Sequence, residues 1–157
     1  MIHPGLTRGV ACLAVVCGLI AGPTAGASGS EASIKRVIVS YGSRIDIAEG
    51  HVLAAVGVFK ENKDRAPLDA AIAKSVAVLR GLRTKVGRQA AIAPNVKRAK
   101  TKIEGGLKDI IVAYGQLVVA YNELSSSQEA AEKEAAGALE LTHKGHDELV
   151  AGLKLLR

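Results

Sequence analysis

The chain has 157 residues, 21 of them Lys or Arg against 15 Asp or Glu, for a net charge of +6, and 48% are hydrophobic. That length makes one ordinary domain, large enough to bury roughly two-thirds of its unfolded surface. Tryptophan is absent, and one Phe and three Tyr leave little for single-stranded nucleic-acid binding through stacked aromatics.

Residues 1–8 form a short leader with one positive charge, on Arg8. An unbroken apolar or small-residue run follows from Gly9 to Ala21. After it, "GPTAGAS" supplies Ala25 and Ala27 at the two small positions of an A-x-A cleavage site. This is the layout of a secretory signal peptide, with an apolar run too short to span a bilayer. Cleavage after Ala27 is expected, sending the protein to the periplasm or the outside. Both cysteines, Cys12 and Cys17, would leave with that segment. Residues 28–157 would then lack disulfides, thiolate nucleophiles and cysteine metal ligands. Taking Arg8 from the 21 basic residues leaves 20 against 15 acidic ones, a net +5.

The remainder reads as a single all-α domain with helices at about 31–62, 67–88, 95–125 and 127–156. In the first, Ile34, Ile38, Tyr41, Ile45, Ala48, Val52, Ala55 and Phe59 alternate four and three residues apart, the seam of a packed helix. The second carries Leu68, Ile72, Val76, Leu79, Leu82 and Val86. The third runs through Val96, Ala99, Ile103, Ile110, Tyr114, Leu117, Tyr121 and Leu124, and the fourth through Ala135, Leu139, Thr142, His146, Leu149, Leu153 and Leu156. No stretch alternates with the period of a half-buried strand. Pro67 suits a first helical turn, and Ser126 with Glu129 three residues on predicts a capping box. Short connections predict an up-down-up-down antiparallel four-helix bundle. Helix three is expected to continue through Gly105-Gly106, with small side chains allowing close packing.

"ELTHKGHDEL", Glu140 to Leu149, is the one segment that resembles chemistry. Glu140 and His143 have the E-x-x-H spacing of di-iron bundles, yet helix two offers only Asp69 and no histidine, so the second half of such a site is missing. A single metal held by Glu140, His143 and Asp147 is the alternative reading; otherwise these are solvated polar positions. His146 is expected on the seam and His51 at an exposed or boundary position. No enzyme signature is present, which argues for a non-catalytic protein with no cofactor.

Charge is the informative asymmetry. From Arg80 to Lys108 there are nine basic residues, and Glu104 is the one carboxylate before Asp109. From Glu123 to Glu148 seven acidic residues stand against Lys133 and Lys144. An up-down-up-down fold would gather Arg80, Arg83, Lys85, Arg88, Lys97, Arg98, Lys100 and Lys102 at one tip. Lys35, Arg36, Lys154 and Arg157 would join them there. The expected partner is an anionic lipid, wall polymer or acidic protein, met without sequence-specific nucleic-acid recognition.

Overall fold

A computed structural model describes residues 29–124 and 126–156. The expected signal segment, 1–27, lies outside the described residues. Four helices account for the described fold, and no strand occurs among those residues. They are α1 (Gly29–Asn62), α2 (Ala66–Gly87), α3 (Pro94–Glu123) and α4 (Gln128–Lys154). None is long and apolar enough to cross a membrane.

The breaks follow local chemistry. α1 stops as Lys63 turns to a left-handed φ of 62°, and the Asn62 side chain accepts the Asp64 N–H at 2.9 Å. Asp64 then accepts the Ala66 N–H at 3.0 Å, satisfying one of the unpaired donors at the start of α2. Proline occupies the first turn of both α2 and α3, where its missing N–H costs nothing. The start of α4 differs from expectation by one residue. Ser127, not Ser126, is the cap, accepting the Ala130 N–H at 3.2 Å. The Ser126 hydroxyl instead donates back to the Glu123 carbonyl. Consecutive serines offer several capping frames, and a glutamate three residues on is not enough to choose among them.

α1 packs on α2, α2 on α3, and α3 on α4, the last pair in the most extensive contact. The buried face of α1 is the expected seam from Ile34 to Phe59 with Glu49 and Val56 added. Phe59 meets Tyr121 of α3 edge-on, with ring centroids 5.0 Å apart, tying the end of α1 to the end of α3. Leu68, Ile72, Leu79, Leu82 and Val86 of α2 join the same core, as do Ile103, Leu107, Ile110 and Leu117 of α3.

α3 runs unbroken through Gly105-Gly106, and its partner explains why. Ala99, Gly106, Ala113 and Ala120 recur every seven residues along α3 and are all buried. Ala131, Ala138, Gly145 and Gly152 do the same on α4. Gly106 faces Gly145, and Gly152 faces Ala99 and Ile103. The two helices meet nearly backbone to backbone along matched rows of small residues. The expected α4 seam holds in part: Thr142, Leu149, Leu153 and Leu156 are buried, whereas Ala135, Leu139 and His146 are only half-buried and Ala138, Gly145 and Gly152 are buried in their stead.

Candidate functional site

The end of α2 and the start of α3 are joined by a specific contact. Lys100 reaches across from α3 and its ammonium donates to the carbonyls of Gly87 and Gln89, the latter at 2.9 Å. These carbonyls lie at and just past the C-terminus of α2, where a cation also complements the helix dipole. Lys100 is therefore half-buried and occupied with holding the turn. Arg80, Arg83, Lys85, Arg88, Lys97, Arg98 and Lys102 are exposed. None of these seven forms an ion pair among the described residues. Arg80 and Arg83 line a shallow cleft with Thr84, Gly87 and Glu104, so the one acidic residue of this segment sits beside two of its arginines. Lys85 lies 5.4 Å from the centre of the Tyr41 ring, which brings α1 alongside. Lys35, expected to add a free charge, is paired with Glu31 at 3.0 Å one turn earlier in α1.

At the other end of the molecule, charges are partly neutralised in place. Arg65 pairs with Asp69 at 3.1 Å and also reaches the Asn122 side chain. Midway along α4, Lys144 bridges to Asp109 of α3 at 2.8 Å. That hydrogen bond and the aspartate charge hold the lysine above its ordinary pKa.

Glu140, His143 and Asp147 are all exposed on α4. Among the described residues no group of three or more His, Cys, Asp or Glu side chains is placed to hold a metal ion. The spacing puts the three on one face of α4, which by itself does not bring them together around an ion. His146 turns one ring nitrogen, Nε2, into a buried position without a hydrogen-bond partner among the described residues, while Nδ1 lies 4.0 Å from Asp147. His51 is exposed on α1.

A buried carboxyl group was not anticipated. Glu49 is 6% exposed, and its Oε1 has no hydrogen-bond partner among the described residues. Burial first, and the neighbouring Asp46 second, push its pKa from an ordinary 4.5 up to about 8. Ser75 of α2 and Tyr114 of α3 are buried at the same level. The Ser75 hydroxyl donates to the Ala48 carbonyl at 3.2 Å, and the adjacent Tyr114 hydroxyl has no partner of acceptable geometry among the described residues. Burial and the Glu49 charge both raise the Tyr114 phenol above its ordinary pKa. The sequence did carry a signal. Ile45, Glu49, Val52, Val56 and Phe59 keep the four-and-three spacing as faithfully as the row through Ala48 does. Choosing the apolar residue at that turn hid the acid.

No protein-family model matches the chain, and neither a curated protein nor a solved structure does.

Proposed function

We propose that this is an exported, non-catalytic protein, folded as an up-down-up-down antiparallel bundle, which binds an anionic surface or polymer through the basic end formed by α2 and α3. The topology is supported by which residues meet. Tyr41 lies beside Gly81 and Ser75 bonds to Ala48, pairing early α1 with late α2 and the middles with each other. Lys100 meets Gly87, and Gly152 meets Ala99, continuing the alternation through α3 and α4. The observation that carries the binding reading is the set of seven exposed cations, none ion-paired among the described residues, flanking a turn that Lys100 holds in place. Exposed, uncompensated charge of one sign attracts polyanions without sequence preference and is screened by salt.

Sedimentation with vesicles tests this. The protein is expected to bind phosphatidylglycerol vesicles and not phosphatidylcholine vesicles. Raising salt from about 50 mM to several hundred millimolar should remove most of the binding, because the contacts are exposed charges. Arg88→Gln, Lys97→Gln and Arg98→Gln together should weaken it at least about tenfold while leaving the melt unchanged, since exposed charges contribute little to stability. Lys60→Gln, Lys63→Gln and Lys133→Gln together, away from that end, serve as the comparison. Equal losses from the two sets would show that net charge alone attracts the vesicle, and the proposed site would be wrong. Export is tested separately: intact-mass analysis of secreted protein should give a chain beginning at Ser28. Retention of Cys17 in that mass would refute the cleavage.

A further inference from the structure

The α1–α2 pair carries a second concave feature, away from the turn between α2 and α3. A cleft of about 510 Å³ opens between the two helices. That is within the size range of small-molecule sites, which are largely apolar with a few convergent polar groups. Its apolar lining comes from Ile47 and Ala48 of α1 and from Ala77 and Val78 of α2. Ile47 is 61% exposed, an uncovered aliphatic side chain at the rim. The charged lining is of one sign: Arg44 and Lys74 border the cleft, His51 adds an imidazole beside them, and no carboxylate lines it among the described residues. None of the three forms an ion pair among those residues. Tyr41 also lines the cleft; it is 6% exposed, with the Arg44 guanidinium 5.5 Å and the Lys85 ammonium 5.4 Å from its ring centre.

We propose that this cleft binds one molecule of a single-chain anionic amphiphile. The acidic head is held by Arg44, His51 and Lys74, and the hydrocarbon chain lies along Ile47, Ala77 and Val78. Charge complementarity selects the head, because two cationic side chains, Arg44 and Lys74, border the cleft beside His51, and no carboxylate lines it among the described residues. The apolar lining distinguishes the ligand from a free inorganic anion, which would leave Ile47 and Val78 in water. This goes beyond the basic end discussed above, since none of the three basic residues belongs to that set.

Calorimetric titration of the purified protein with laurate and with dodecyl phosphate, below their micelle-forming concentrations, tests the proposal. Saturable binding of one molecule per chain is expected for at least one of them, and the preferred head group identifies the natural source as a carboxylate or a phosphate ester. Dodecyl maltoside, with the same chain and a neutral head, should bind at least about tenfold more weakly, as should inorganic phosphate, which has no chain; tenfold is the loss of about 1.4 kcal/mol. Arg44→Gln with Lys74→Gln should weaken binding by at least a similar factor, and Ile47→Asp, at an exposed position, should do so by repelling the chain. Arg88→Gln with Arg98→Gln should leave it unchanged, and this arm separates the cleft from the vesicle-binding end. The proposal is overturned if neither anionic amphiphile binds, if the neutral one binds equally, or if the Arg44 and Lys74 changes have no effect.

Discussion

Raising the pH from about 5 to 9 is expected to lower the melting temperature of this protein substantially, and Glu49→Gln is expected to remove most of that fall. The cause is the acid buried between α1, α2 and α3. In the unfolded chain Glu49 releases its proton near 4.5, whereas in the folded protein it holds the proton up to about 8. Between those values the native state binds more protons than the unfolded state, so stability declines as pH rises. Below about 4.5 both states are protonated and above about 8 both are ionised, and there this group contributes no slope. The full span corresponds to about 5 kcal/mol at most, at about 1.4 kcal/mol for each tenfold change in proton affinity. Glutamine keeps the shape and cannot ionise. The variant should therefore match the wild type near pH 4.5 and exceed it increasingly toward pH 8. Melting curves of both proteins across this range provide the check, and parallel slopes would show that Glu49 is not the titrating group. The groups nearest it reinforce the sign: Asp46 on α1 and the Tyr114 phenol on α3 bring no positive charge that would favour ionisation.

The four helices were legible in the sequence because periodicity and punctuation agree. A seam from Ile34 to Phe59, a proline at each of two helix starts and a serine cluster before α4 all act locally, and local chemistry sets where a helix begins and ends. What the sequence reading missed depended on partners. Glu49 sits on the buried stripe, but whether a polar residue at such a position is turned inward depends on how far α2 and α3 wrap around it. Lys100 looks like any other lysine of the basic run. Only the position of the α2 C-terminus reveals that its ammonium is engaged by two carbonyls. The cleft beside Tyr41 joins residues about 30 positions apart in the chain, and neither helix alone suggests it.

The same lesson decides what the glycines do, and it gives the second large expected effect. Gly106→Ala and Gly145→Ala should each destabilise the fold, whereas Gly57→Ala and Gly115→Ala should stabilise it. In an isolated helix all four changes would help, by up to about 1 kcal/mol, since alanine restricts the unfolded chain. The surroundings reverse the sign at two of them. A Cβ on Gly106 would run into the carbonyl oxygen of Gly145 and lie 3.0 Å from Leu149. One on Gly145 would lie 2.7 Å from the Gly106 carbonyl oxygen and 2.8 Å from Ile110. The obstacles include backbone atoms, which cannot rotate away, so α3 and α4 must separate along their matched rows of Ala and Gly. Overpacking of this kind typically costs about 1–3 kcal/mol, and the loss of close contact on both sides of the crossing places these two at the upper end. At Gly57 and Gly115 nothing among the described residues lies within 4 Å of the added carbon, beyond the helix's own neighbouring backbone. Thermal melts of the four single variants should therefore divide into two losses and two gains. The combination of Gly57→Ala with Gly115→Ala should add nearly linearly, because the sites share no partner. If all four variants melted higher than the wild type, the backbone-to-backbone approach of α3 and α4 would be disproved.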